Sequence, residues 1–186
     1  MLKSAPKKYG PANEPELMGY LAGELTEKAI SMKLSAILGC RYTLINGHAP
    51  FTAPNFGEYR GMTPKNLDVV QIDARTGNVA AIYEVKSTTT DKVEFNVNGQ
   101  SGIFMAHAAE LGIPTFLVVV RMDRSISEDV LRKELSTGKV VINPEAYLSE
   151  VNHLLKTSRV ELYDSARFMV EGGKFLVSGV PKSLES

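Results

Sequence analysis

Among 186 residues the chain has one cysteine, Cys40. A lone thiol closes no internal disulfide and cannot build a cysteine zinc site, so a reducing, cytoplasmic compartment is expected. The sequence lacks any apolar run near the roughly 20 residues that cross a bilayer. Its opening, MLKSAPKKYGPANEPE, has basic residues with no apolar signal core behind them. A soluble chain without a classical signal peptide is expected. No charge sign is in surplus: Lys plus Arg number 21, as do Asp plus Glu. Bulk attraction therefore cannot draw the chain to a polyanion, and any such partner must meet a local patch. Glycine-rich loops of the P-loop or dinucleotide type are missing, which removes ATP and NAD as expected cofactors.

With 44% hydrophobic and 23% charged residues, the composition is that of one globular domain with a real core. Residues 1–13, rich in Lys, Pro, Gly and Ala, read as a flexible arm, and 14–186 as a single domain. Leu17, Leu21, Leu25, Ile30, Leu34 and Leu38, stopped by Gly39, predict a helix over about 14–38. A short strand is expected at Arg41–Ile45. The stretch NGHAPFTAPNFGEYRGMTPKN then predicts a long irregular connection, a binding element or lid.

LDVVQID and VAAIYEVKS flank the turn signal ARTGN, which predicts an antiparallel hairpin. A turn centred near Thr76 pairs positions summing to 152, so Asp68 faces Glu84, Val70 faces Ile82 and Ile72 faces Ala80. Glu84 and Lys86, two apart on one strand, share a face. The register thus gathers Asp68, Glu84 and Lys86 at one end of an otherwise apolar face; a slip of one residue would dissolve the cluster. Downstream, SGIFMAHAAELG predicts a helix ending at Gly112, and PTFLVVVRM a buried strand. Ser125 with Glu128 signals a helix to about Ser136. Asn143-Pro144 opens another to about Lys156, and RVELYDSARFMVEGGKFLVSG suggests short strands turning at Gly172 and Gly173.

Two carboxylates and an amine at one point suit a hard divalent cation, Mg²⁺ with Mn²⁺ as substitute, beside a phosphodiester under hydrolysis. The bland alternative is a surface Glu84–Lys86 pair with Asp68 exposed at a strand start. An acid-x-Lys triplet arises readily by chance. Here it occurs once, at the end of a buried-looking strand and one strand after an aspartate.

The order of a Glu-bearing helix, NLDVV, IYEVKS, a helix opening at Gln100 and an apolar strand resembles the PD-(D/E)XK nuclease superfamily. EVKST, the downstream glutamine and TFLVVV look most like archaeal-type Holliday junction resolvases and their phage relatives. The resemblance spans about Glu16 to Arg121 and departs from the motif at Leu67, where it has proline. It implies an α/β, restriction-endonuclease-like core over about 16–122, a central mixed β-sheet flanked by helices, with a helical and β extension over 123–186. It further implies a metal-dependent DNA endonuclease acting on four-way or other branched DNA, and a resolvase subtype would be a C2 homodimer. If phage-encoded, it would act in the host cytoplasm. Restriction-type, phage recombination or toxin nucleases share the chemistry, and a non-catalytic DNA-binding or assembly protein shares the fold.

Carried over, Asp68 and Glu84 are metal ligands and Lys86 the catalytic lysine. Glu27 is the expected acidic residue of the first helix, seven residues before Leu34, with Glu24 the competitor. Gln100 contacts the hydrolytic centre or the DNA backbone, or simply begins its helix. Ser87, Thr88, Arg41, Arg60 and Lys65 are candidate DNA contacts; solvated charge and ordinary strand ends are the alternatives. His48, His107 and His153 show no metal-ligand spacing and are read as structural or exposed. Tyr59 is assigned to packing.

Overall fold

Leu17, Leu21, Leu25, Ile30 and Leu34 recur every three to five residues, and in the computed structural model they line the buried side of helix α1 (Glu14–Leu38). Gly39, at φ 68°, ends the helix in the left-handed conformation that glycine alone takes without a Cβ penalty. The structure describes residues 7–8, 14–90, 93, 95–96, 98–123, 130, 141–164, 168–171, 174–177 and 182–183. Of the helix expected from Ser125 to Ser136, Val130 is the one described residue; it is helical and packs against the cluster around Leu21, and the others lie outside the described residues.

In chain order the strands are β1 (Lys7–Lys8), β2 (Tyr42–Gly47), β3 (Leu67–Asp73), β4 (Val79–Thr88), β5 (Phe95–Asn96), β6 (Thr115–Arg121), β7 (Val141–Ile142), β8 (Arg159–Asp164), β9 (Phe168–Glu171), β10 (Lys174–Val177) and β11 (Lys182–Ser183). Helices α2 (Gln100–Glu110) and α3 (Leu148–Thr157) accompany α1. Five longer strands form a mixed sheet in the order β8-β6-β4-β3-β2, and β11 adds two residues at the β8 edge. β4 and β6 run parallel because α2 carries the chain back between them; the other neighbours are antiparallel. The chain is thus α/β, with a mixed sheet flanked by helices.

Residues after Arg121 contribute directly to this core. β8 pairs with β6 from Phe116–Asp164 to Arg121–Arg159. Tyr147, Val151 and Leu154 close over Leu17, Leu21 and Leu25 of α1. Pro144 opens a 3-10 turn capped by the Asn143 side chain, which accepts from the Glu145 amide, and α3 follows. Within the arm, Lys7 and Lys8 pair with Ile142 and Val141. β9 and β10 form the expected C-terminal hairpin, with Lys174 opposite Glu171. Among the described residues no helix is long and apolar enough to cross a membrane.

In the β3–β4 hairpin, Val69 faces Tyr83, Val70 faces Ile82 and Gln71 faces Ala81, each pair summing to 152. Nearer the turn the expectation fails, because a bulge pairs Ile72 with Val79 instead of Ala80. The loop explains the shift: Asp73 Oδ1 accepts from the amides of Arg75 at 2.9 Å and Thr76 at 3.0 Å, and Gly77 takes φ 71°. That tight cap absorbs an odd residue, which the ladder accommodates as a bulge. The end bearing Asp68 and Glu84 keeps its register.

The sheet has two apolar faces. Ile30 and Leu34 of α1 cover Val69, Ala81, Tyr83 and Val85, while Phe104, Met105 and Ala108 of α2 cover Val70 and Ile82. The long connection packs against the α2 side. Phe56 is fully buried there, Tyr59 stacks on His107 at 4.2 Å, and Asn55 brackets the Val79 backbone with bonds of 2.9 and 2.8 Å. Tyr59 and His107 therefore serve packing, and the loop's aromatic side chains anchor it to α2.

Leu21, fully buried between α1 and α3, gives a stability test. Leu21→Ala is expected to cost about 3 kcal/mol, lowering Tm by roughly 6–12 °C in one cooperative transition. A shift under roughly 2 °C in thermal unfolding would show that the α1–α3 contact lies outside the cooperative core.

Candidate metal centre

Asp68 is the second residue of β3, while Glu84 and Lys86 lie in the last half of β4. The antiparallel register brings these ends together, on the sheet face that α2 covers. The carboxyls are deeply placed: Asp68 is 6% exposed, Glu84 2% and Glu27 9%. Asp68 Oδ2 accepts from the Val85 amide at 2.7 Å, so the hairpin itself fixes this carboxylate.

Glu27 enters from α1. Its Oε2 lies 3.1 Å from His48 Nε2 and 3.3 Å from Asn46 Nδ2, and the same His48 nitrogen lies 3.4 Å from Asp68 Oδ1. Glu27 is thus the α1 carboxylate that the fold brings to Asp68, as expected over Glu24. A local irregularity places His48. β2 bulges between Ile45 and Gly47, and the His48 amide donates to Asn46 Oδ1 at 2.9 Å, turning the chain toward the site. Gly47 permits the close approach, since a Cβ there would meet Leu67 Cβ and Val70 Cγ2 at 3.0 Å.

Glu27, His48 and Asp68 each offer a ligand atom, all within 4.8 Å of one another. His48, expected to be structural or exposed, stands half-buried between these two acids and offers its Nε2 to the group. Its spacing to the acids in sequence carried no signal, because the bulge and the hairpin bring them together. Glu84 stands beside this group in a different setting. Its Oε1 accepts from Lys86 Nζ at 2.7 Å and Ser101 Oγ at 3.2 Å, while its buried Oε2 has no hydrogen-bond partner among the described residues. A buried carboxylate oxygen left without a donor costs roughly 1–3 kcal/mol.

Three buried carboxyls face one lysine, and the electrostatics follow. Burial, with Glu27 nearby, pushes Asp68 up to about 7 against the opposing pull of Lys86, the Val85 amide and His48. Burial and the Asp68 charge push Glu84 up to about 7 as well, although Lys86 and Ser101 favour its ionised form. For Lys86 burial works against the charge, but Glu84, Asp68 and Glu27 outweigh it and hold the ammonium above its ordinary range. Hard oxygen donors, one imidazole, an orphaned carboxylate oxygen and surplus acid fit a divalent cation.

The remaining expected residues divide. Gln100 is the first residue of α2, and its side-chain oxygen accepts from Asn66, two residues before Asp68. It therefore both begins the helix and lies at the rim of the centre. Lys65, half-buried, precedes Asn66 on the same approach. Ser87 and Thr88 follow Lys86 and line a groove with Met18, Gly19, Ala22 and Met122. Strand alternation leaves Thr88 on the Lys86 face and turns Ser87 to the other. Arg60 caps the Tyr59 ring at 5.0 Å, out on the long loop.

Arg41 departs from its expected place. It precedes β2, whose first residue pairs with Asp73, and its Nε lies 3.7 Å from Asp73 Oδ2. Asp73 is at the turn end of β3, about 17 Å of strand from Asp68. The antiparallel β2–β3 pairing, which sends the start of β2 away from the centre, is the reason. His153, on α3, lies 3.7 Å from Asp123 and takes no part in the centre.

Comparisons of the chain with protein-family models, curated proteins and solved structures gave no match.

Two outcomes test the centre. Unfolded carboxyls release their protons near pH 4, whereas Asp68 and Glu84 hold theirs to about 7. The folded chain then binds more protons between these values, and stability falls as pH rises through that window. In EDTA, Tm should drop by several degrees from pH 5.5 to 7.5, less steeply in Asp68→Asn; a flat or rising profile in the parent would contradict the assignment. Separately, Mn²⁺ at pH 7.5 should raise Tm, and His48→Ala should reduce the Mn²⁺ shift more than the Mg²⁺ shift, because imidazole favours the transition metal. Equal loss for both ions in calorimetric titration would remove His48 from the ligands.

Proposed function

We propose that the chain is a metal-dependent DNA endonuclease with a restriction-endonuclease-like core, hydrolysing phosphodiester bonds at Asp68, Glu84 and Lys86. The observation that carries this reading is the convergence of Glu27, Asp68, Glu84 and Lys86 where β3 begins and β4 ends, with more buried acid than base. The element order α1-β2-β3-β4-β5-α2-β6, with β4 and β6 parallel in the main sheet and β5 outside it, supports the resemblance to PD-(D/E)XK nucleases. It puts the aspartate and the Glu-x-Lys pair on adjacent strands and Gln100 at the start of the next helix.

Glu27, His48 and Asp68 would hold the cation, with Glu84 beside them. A bound Mg²⁺ or Mn²⁺ supplies Lewis-acid charge to the phosphodiester. Lys86 is anchored on Glu84, with its side chain 32% exposed. Kept protonated by the surrounding acids, it donates to the phosphoryl oxygens as negative charge develops there. Ser101 holds the Glu84 carboxylate in place from the α2 side. Water adds to phosphorus, the ester P–O bond breaks, and the products are a phosphomonoester end and a hydroxyl end. A junction-resolving enzyme is the favoured subtype, and it would cut two symmetric strands as a C2 homodimer.

The test uses a labelled four-way junction, linear duplex and single strand with Mg²⁺, Mn²⁺ or EDTA. Cutting should require the metal and fall by about 10²–10⁴-fold in Lys86→Ala. Paired symmetric nicks confined to the junction would select the resolvase subtype. Binding without cutting in either metal would contradict the nuclease reading.

A further inference from the structure

Lys86 belongs to a larger row of charge. Direct pairs across β4, β6 and β8 align Lys86 with Val119 and Glu161, and Thr88 with Arg121 and Arg159. Paired residues share a face, as do residues two apart on a strand, so Arg121, Arg159 and Glu161 stand on the face that carries Glu84 and Lys86. Side-chain bonds agree with that placement. Arg121 Nε donates to Glu161 Oε1 at 2.9 Å, Arg159 Nη2 lies 2.9 Å from the same oxygen, and the Tyr163 hydroxyl donates to Oε2 at 2.8 Å. Arg121 Nη1 also donates to the Thr90 carbonyl at 3.0 Å, which pins its guanidinium just past the end of β4.

Two guanidiniums share one carboxylate, so the cluster carries one surplus positive charge. Burial opposes ionisation of Glu161, yet the bonds from Arg121 and Tyr163 hold it below the usual carboxylate range, where it braces both arginines. Arg121 alone would satisfy that carboxylate together with Tyr163. Arg159 is 70% exposed, and its planar fork of N–H donors matches a phosphate edge. The row starts one two-residue step beyond Lys86, roughly 7 Å along β4, and crosses strands spaced about 4.8 Å apart.

We propose that Arg121 and Arg159 form a phosphate-binding row for the nucleic-acid backbone flanking the bond held at Lys86, so that the bound strand crosses the sheet from β4 toward β8. This rests on the phosphodiester reading of the Lys86 centre. It assigns the local basic patch that a chain of zero net charge requires, and it places that patch on strands whose arginines gave no motif in the sequence.

The experiment measures anisotropy of a fluorescein-labelled single strand and duplex with the full chain in Ca²⁺, from about 50 to 200 mM salt. Gels run alongside check that the DNA stays intact. Arg159→Ala should weaken binding to all sequences and make the log–log salt slope shallower by about 0.7 on the single strand and 0.9 on the duplex. Arg159→Lys should restore the slope. Arg75→Ala removes an equal charge from the exposed hairpin turn at the far end of β4 and should leave the slope unchanged. An Arg159→Ala slope equal to the parent's, or an equal loss in Arg75→Ala, would overturn the row. Cleavage in Mn²⁺ is followed in parallel. A row effect without cleavage would sink the nuclease reading and leave the row, cleavage without a row effect would do the reverse, and no binding by the parent would overturn both.

Discussion

Surplus buried negative charge is the constraint on which the rest of this molecule depends. Glu27, Asp68 and Glu84 converge at the end of the β3–β4 hairpin, and Lys86 neutralises only one of them. Burying a second or third carboxylate is unfavourable unless a proton or a cation joins it. The upward shift of Asp68 and Glu84 expresses that pressure in the protein alone. A divalent cation would relieve the same pressure while leaving the carboxylates ionised. The site is therefore held against its own electrostatics by the packing around it.

That packing is extensive. Val69, Tyr83 and Val85 lock the hairpin onto α1, and Val70 and Ile82 lock it onto α2. The helix that supplies Glu27 is itself clamped by α3 through Leu17, Leu21 and Leu25. Local devices then aim the polar groups: the β2 bulge turns His48 inward, the Val85 amide fixes Asp68, and Ser101 at the start of α2 holds Glu84. His48, Asp68 and Glu84 are thus each set by a different element packed on the same sheet.

Much of this was legible in the sequence because the signals were local. Leucine periodicity gave α1, the turn ARTGN between two β-prone runs gave the hairpin and its register, and strand periodicity put Glu84 and Lys86 on one face. Signals that depend on tertiary geometry stayed hidden. His48 had no partner at useful spacing, and only the bulge at Asn46 and the antiparallel return of β3 bring it to Asp68. Arg41 sat near the motif in sequence but is carried to the turn end by the direction of β2. Arg121 and Arg159 lie 38 residues apart in number and become neighbours through strand pairing alone. The turn-end bulge at Ile72 escaped for a related reason: a side-chain cap from Asp73, not the turn residues themselves, sets the loop.

On the proposed reading, a chain with balanced charge meets a polyanion through a local patch. Three of its acids, Glu27, Asp68 and Glu84, are gathered and buried at one point of the sheet, and basic side chains stand beside them, at Lys86 and along the β6–β8 edge. The most direct measurement of the central claim is anomalous diffraction from crystals of the protein grown with Mn²⁺. The account predicts an anomalous peak in contact with the carboxylates of Asp68 and Glu27. A well-ordered site with no peak there, at Mn²⁺ concentrations that stabilise the protein in solution, would contradict it.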